Sequence, residues 1–334
     1  MNLSVIEVSH LSKNYGNIQA VSDLSFTVEP GKIYGFLGPN GAGKSTTLNM
    51  ITGCLSSDSG EVKVNGYDIF DDAAKAKKAI GYSPELPPVY GDMTPYEYLT
   101  FVAKAKGMAR ADIPAHLQEI MQATGIVEMR NRLIRNLSKG YRQRVDIAQA
   151  LVGWPEIVIF DEPTVGLDPK QIIEIRDLIR SLGDKHTVLL SSHILSEVEA
   201  VCDEILIISH GKLVACDTPQ NLESRFTSNR VINVLAHGDR ETVTKAVAEV
   251  PALTVLSCQT EAAGMTRLTL EAAGKEELRA KLFYALAAAD CPILEMTQTH
   301  SSLEDVFLEL TAAADPVDEA ALAAAQTKSE GDEQ

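Results

Sequence analysis

The residues whose types and spacing most plainly do chemistry are Gly38-Pro39-Asn40-Gly41-Ala42-Gly43-Lys44-Ser45-Thr46. They fit G-x-x-x-x-G-K-[ST], a loop whose glycines let successive backbone N–H groups turn toward one chain of anionic oxygens. Lys44 adds a mobile positive charge for β- and γ-phosphates, and the Ser45 hydroxyl suits Mg2+. Lys32 to Leu37 reads as a short buried strand before the loop. Ser45 to Thr52 reads as a helix after it, stopped by Gly53. Strand, loop and helix in that order make a nucleotide site.

Further reactive side chains stand where elements end. Ile157-Val158-Ile159-Phe160-Asp161-Glu162-Pro163 is an apolar strand closing on two acids, the pattern of a central parallel strand that presents carboxylates at its C-terminal edge. Val188 to Ser192 repeats the pattern and ends at His193. Ser138 is a natural N-cap for a helix whose apolar face includes Val145, Ala148, Leu151 and Val152. Tyr15, upstream of the phosphate loop, either packs as an ordinary aromatic or stacks on a nucleotide base.

Composition narrows the partners. The chain has 334 residues, enough for one large core and a second, smaller domain. A formal net charge of −16 opposes binding to nucleic acid by counterion release and adsorption to anionic lipid. No apolar run approaches the roughly 18 residues that span a bilayer, and Met1 to His10 lacks the regions of a signal peptide, so a cytoplasmic chain is expected. The five cysteines form no C-x-x-C and the seven histidines show no metal-ligand spacing.

The remaining elements frame these residues. Leu3 to Val8 and Leu24 to Val28 alternate apolar with polar, as half-buried antiparallel strands do. Glu61 to Gly66 is a strand ending in an Asn-Gly turn, and Ile80 to Glu85 is another short strand with its exit loop. Thr94-Pro95-Tyr96-Glu97 supplies a capping box for a helix reaching about Lys106, and a second helix covers Ile113 to Thr124. The expected fold class is therefore α/β: a P-loop NTPase sheet core with an N-terminal antiparallel β subdomain and a helical insert at about 87–136. From Val231 the order strand, helix, strand, strand, helix, strand resembles a small ferredoxin-like α+β unit. The expected divisions are 1–222, 223–311 with a last helix capped by Ser302, and a disordered acidic tail over 312–334.

Taken in order, Tyr15, the phosphate loop, Leu137-Ser138-Lys139-Gly140, Ile157 to Glu162, Gly166-Leu167-Asp168 and His193 resemble the ATP-binding subunit of an ABC transporter over about residues 1 to 222. The resemblance implies ATP and Mg2+ as cofactors, Asp161 and Ser45 on the metal, and Glu162 as general base with Lys44 and His193 beside the γ-phosphate. It implies that Ser138, Gly140 and Asp168 act across a dimer, homodimeric or formed with another ABC subunit. Lys139 and Tyr141 stand where the family usually has Gly and Gln, and Glu85 where it has Gln, a position that would touch Mg2+. Lys139, Tyr141, the stretch from Tyr82 to Glu85 and the C-terminal unit look like the exporter branch that pairs with ABC-2 type permeases, which implies a peripheral place on the inner face of the cell membrane. The alternative is a soluble ABC ATPase with a non-membrane partner; such chains usually carry two ATPase heads or a coiled-coil insertion, and neither is seen. A metabolic P-loop kinase or GTPase would have no use for the Ser138, Asp168 and His193 elements.

Overall fold

A computed structural model describes residues 4–226, 229–261, 264–273 and 277–299, with 304, 307, 308 and 311. The chain divides into two compact units, Met1–Thr218 and Pro219–Glu309. The division falls four residues before the boundary expected from sequence.

The first unit opens with a long hairpin, β1 (Ile6–Tyr15) and β2 (Ile18–Val28). The strands run further than their alternating pattern suggests, and Tyr15 is the last residue of β1. Next come β3 (Ile33–Leu37), α1 (Lys44–Ile51), β4 (Ser59–Val64), β5 (Tyr67–Asp68), α2 (Ala73–Lys78) and β6 (Ile80–Ser83). The hairpin joins β4 and β5 in an antiparallel sheet of order β2-β1-β4-β5. Its inner face carries Val8, Leu24, Phe26 and Val62 into a core shared with β3, where the rings of Phe26 and Phe36 lie 5.8 Å apart.

Two helices follow, α3 (Pro95–Ala105) and α4 (Ile113–Ala123). The first begins with the full capping box: Thr94 Oγ1 accepts from the Glu97 amide at 3.3 Å, and the Thr94 amide donates to Glu97 Oε2 at 2.8 Å. Two short 3-10 turns then lead to α5 (Lys139–Leu151) and β7 (Ile157–Phe160). The unit is completed by α6 (Pro169–Gly183), β8 (Thr187–Ser192), α7 (Leu195–Glu199), β9 (Glu204–Ser209) and β10 (Lys212–Asp217). The main sheet has the order β10-β9-β3-β8-β7-β6, parallel except for the antiparallel pair β9 and β10. Every residue of β3, β7 and β8 is buried, as a sheet covered on both faces requires. Among the described residues no helix is long and apolar enough to cross a membrane.

The second unit contains α8 (Pro219–Phe226), β11 (Asn229–His237), α9 (Arg240–Ala248), β12 (Leu253–Glu261), β13 (Met265–Ala273), α10 (Arg279–Ala288) and β14 (Ile293–Thr299). Its antiparallel sheet has the order β12-β13-β11-β14, the ferredoxin-like arrangement. Ile232, Val234, Leu268 and Leu270 meet Val243, Val247, Leu282 and Leu286 in a core of its own. Ser302, expected to cap a last helix, and the 312–334 tail lie outside the described residues.

One buried group ties the helical insert's neighbour, α5, to the sheet. Asp146 is fully buried; its carboxylate accepts from the Ser83 hydroxyl and, at 3.3 Å, from Gln149 Nε2. Burial pushes its carboxyl up to about 7 from 3.8, against the two hydrogen bonds that favour the charged form. A carboxyl that ionises near 7 when folded and near 3.8 when unfolded binds its proton in the folded state across that interval. Stability therefore declines as pH rises through it and levels off above about 7. Asp146→Asn should melt several degrees further above the wild type at pH 8 than at pH 4, since each kcal/mol shifts a domain of this size by about 2–4 °C. Thermal unfolding at the two pH values checks this, and equal shifts at both would sink it.

Candidate active site

The parallel sheet brings the reactive residues together because its strand ends share one edge. Leu37, the last residue of β3, pairs with Ser192, and Phe160, the last of β7, pairs with Leu190. The phosphate loop, the Asp161-Glu162 pair and His193 leave the sheet side by side, in the crevice beyond the carboxyl ends of the strands. Tyr15, Asn40, Gly41, Gly43, Lys44, Ser45, Thr46, Glu85, Glu162 and His193 line one open cleft of about 570 Å3. Tyr15 is half exposed at its rim, and Glu85 enters the wall from the β6 exit loop.

The loop's own shape is imposed by its neighbours. Gly43 has φ 99°, and a Cβ there would collide with the Ala20 carbonyl; a Cβ on Gly38 would strike that of Ile208. The backbone thus wraps as closely as the surrounding strands allow, with α1 starting directly behind it. Lys44 is buried at 6% exposure, and its ammonium donates to the carbonyls of Gly38 at 2.8 Å and Pro39 at 3.2 Å. Ala42 is buried beneath the loop.

The two acids are held by groups from α1 and from the end of β8. Asp161 Oδ1 accepts from Ser191 Oγ at 2.6 Å and Ser45 Oγ at 3.1 Å. Burial raises the Asp161 pKa, the two hydroxyls oppose that rise, and the adjacent Glu162 carboxylate adds to it. Glu162 Oε1 lies 3.4 Å from Lys44 Nζ and Oε2 lies 2.9 Å from His193 Nδ1. Ser191 Oγ also accepts from the Glu162 amide at 2.9 Å, so one hydroxyl fixes both acids. Ser191 escaped the sequence reading, as did Thr164, Ser192 and Glu197. A hydroxyl at the end of an apolar strand carries no signal of its own, although a Ser-Ser pair closing such a strand directly before a histidine could have raised the question.

A second cavity, of about 330 Å3, is lined by Ser138, Gly140, Tyr141, Arg144, Asp168, Lys170 and Gln171 among others. Ser138 caps α5 by accepting from the Tyr141 amide at 3.4 Å, and Asp168 caps α6 by accepting from the Gln171 amide at 2.9 Å. Two helix N-termini thus converge on it. It shares no lining residue with the phosphate-loop cleft.

The family model for ABC transporters matches residues 21–165. The linearmycin resistance ATP-binding protein LnrL of Bacillus subtilis is 33% identical over 311 residues, covering 92% of this chain and 98% of that protein. The chain belongs to the ATP-binding subunits of ABC transporters. This is a family of ATPases that drive transport. Another relative of this ABC ATPase, the Nod factor export ATP-binding protein I of Ralstonia nicotianae, is 33% identical over 312 residues, with 92% of this chain and 94% of that protein covered. A solved dimeric structure of a bacterial ABC transporter cassette shares the fold at a TM-score of 0.59 and 25% identity, over 64% of this chain and 98% of that one. The ABC ATPase binds ATP, and the cleft beside Lys44 has the loop geometry for its phosphates.

Glu162 adopts φ 50°, a left-handed conformation uncommon for a side chain with a Cβ. Comparing two truncations isolates that strain: Glu162→Gly should be more stable than Glu162→Ala by about 1–2 kcal/mol, the usual left-handed penalty. The Gly variant then melts several degrees higher in side-by-side calorimetry. Identical melting temperatures would mean that the backbone relaxes at this position at no cost.

Proposed function

We propose that this ABC ATPase is the motor subunit of a membrane exporter, binding ATP and Mg2+ at the interface of a head-to-tail dimer and driving a separate permease. The observation that carries this reading is the separation of the two cavities. One chain offers a phosphate loop with its acids and, elsewhere, two helix N-termini at Ser138 and Asp168 with no phosphate loop beside them. Helix N-termini and free N–H groups hold anions, so Ser138 and Gly140 of one copy would meet the γ-phosphate held by the other, with Asp168 at the contact. ATP then joins two copies, and its hydrolysis releases them.

Within each cleft the residues divide the work. The loop from Gly38 to Thr46 and the Lys44 ammonium hold the phosphates, and Tyr15 at the rim stacks the adenine. Ser45 and Asp161 present hydroxyl and carboxylate oxygens 3.1 Å apart, and among the described residues no cluster of three or more His, Cys, Asp or Glu could cage a metal. That donor set suits Mg2+, which keeps water and phosphate oxygens in its shell, with Glu85 as a third protein oxygen. When bound, the ion neutralises charge on the phosphates. Glu162 accepts the proton of the attacking water. His193 hydrogen-bonds Glu162 through Nδ1, and its ring lines the cleft where the γ-phosphate would sit.

The permease partner is of the ABC-2 type in this reading, which rests on Lys139, Tyr141 and the C-terminal unit and on relatives named for export or drug resistance. Leu86 is 84% exposed on the loop after Glu85, and Tyr90 and Phe101 form an exposed edge-to-face pair with ring centroids 5.7 Å apart on the helical insert. Such an apolar patch beside a nucleotide-contacting loop suits a short helix of a membrane protein. The place of action is the inner membrane face, and the second unit, from Pro219, adds a dimer or partner contact.

Two measurements test the core of this reading. Glu162→Gln should retain ATP binding, lose roughly 10²- to 10⁴-fold in turnover, and double its mass in light scattering with ATP and Mg2+, whereas Lys44→Ala should bind ATP weakly and stay monomeric. Wild-type turnover in Glu162→Gln would remove it from the base role. For the metal, Glu85→Gln should raise the Mg2+ needed for half-maximal activity and Glu85→Ala should raise it further. An unchanged Mg2+ dependence in both would leave Glu85 as a bystander on the cleft wall.

A further inference from the structure

Behind the cleft lies a carboxylate that the proposed chemistry does not use. Glu197, in α7, is 6% exposed. Its Oε2 accepts from Thr164 Oγ1 at 2.5 Å and from Ser192 Oγ at 3.2 Å. Both hydroxyl residues are themselves buried, Thr164 at 5% and Ser192 at 1% exposure. Thr164 follows Glu162 by two residues with buried Pro163 between them, and Ser192 immediately precedes His193.

A carboxylate in such a place is costly as mere filling, because burying it forfeits its hydration and an apolar side chain of similar size would not. What it gains here is a bridge between the chain after the acids and the chain before the histidine. We propose that Glu197 is a positioning residue for hydrolysis: it locks the Glu162 and His193 segments into one rigid body. The inference rests on the ATPase reading above.

The need for such a lock follows from the backbone at Glu162. A left-handed non-glycine residue persists only where its surroundings over-determine it. Ser191 fixes the amide of Glu162 from one side at 2.9 Å. The Val165 amide donates to the Glu162 carbonyl at 3.2 Å, closing a turn that contains Thr164. Glu197 grips that turn through the Thr164 hydroxyl, and with the same oxygen holds Ser192. The Ser192 hydroxyl also accepts from the Ile194 amide at 3.0 Å, so the backbone on both sides of His193 is pinned. The 2.9 Å approach of His193 Nδ1 to Glu162 Oε2 is thereby set from behind by an atom that touches neither side chain.

The test measures ATP turnover of the full-length chain in two backgrounds. Glu197→Ala should lower kcat about 10- to 100-fold, the order expected for small misplacement of reacting groups, with KM for ATP within about twofold of wild type. Glu197→Gln can place its carbonyl oxygen where Oε2 stands, keep both hydrogen bonds and recover most of the rate. In the Glu162→Gln background, Glu197→Ala should cost less than about twofold more, because its effect passes through Glu162. Should Glu197→Ala fail to fold, Thr164→Val combined with Ser192→Ala removes the same two bonds and is expected to give the same split. A wild-type kcat in these variants, an equal loss in both backgrounds, or ATP binding lost in parallel with kcat would overturn the positioning role while leaving the ATPase reading intact. Absence of ATPase activity in the wild type would overturn both.

Discussion

Two adjacent carboxylates, Asp161 and Glu162, are buried at the end of one strand beside a loop shaped for a polyanion, and the rest of the site follows from that conflict. Like charges about 4 Å apart repel by roughly 4 kcal/mol at the effective dielectric of a protein surface, and burial adds the loss of hydration. The structure answers with one partner for each exposed demand. Ser45 and Ser191 donate to Asp161, Lys44 approaches one oxygen of Glu162, and His193 approaches the other. Those partners come from α1, from the end of β8 and from the residue beyond it. Only a sheet whose parallel strands end on a common edge brings them within reach without long loops.

The same arrangement explains why the sheet beneath is so apolar. A site carrying a left-handed Glu162 and a desolvated Asp161 stores unfavourable free energy that must be offset elsewhere. The offset lies in β3, β7 and β8, buried along their whole length, and in the antiparallel sheet that packs Phe26 onto Phe36. Reactive residues sit on the exits of fully buried strands, where a shift of the backbone would disturb the core.

Much of this was legible in the sequence because local patterns dictated it. The Thr94 capping box, the Gly53 stop and the all-apolar run of β7 each have a short-range physical cause, and each element formed where that cause lies. The βαββαβ order of the second unit was readable for the same reason. The parts that were not legible depend on contacts between distant segments. Tyr15 belongs to β1 because pairing with Ile18 extends the hairpin beyond its alternating core. Ser191 and Glu197 gain their roles only when β8 and α7 fold beside β7, 29 to 33 residues from the groups they hold beyond that strand. A serine near the end of a strand and a glutamate in a short helix carry no signal of their own in the sequence.

A polar link between α5 and β6 connects the helix that starts at the second cavity to the strand that leads into the wall of the phosphate-loop cleft. α5 begins at the Ser138 cap that lines the second cavity. Eight residues further on, Asp146 holds the Ser83 hydroxyl, and Gln149 donates to the Tyr82 carbonyl at 2.7 Å. The Tyr82 hydroxyl in turn donates to Asn49 at 3.2 Å, in the helix that starts at Lys44. Ser83 lies two residues before Glu85 on the cleft wall. Hydrogen bonds therefore link α5 through β6 to the phosphate-loop helix at Asn49, and the loop that carries Glu85 starts directly after β6. Asp146 is buried and hydrogen-bonded at both oxygens, which ties α5 to β6, and the loop from Pro84 to Met93 leads from β6 into the helical insert. That loop carries the exposed Leu86 and Tyr90 together with Glu85 of the cleft wall, so an apolar surface and the nucleotide cleft share one short segment.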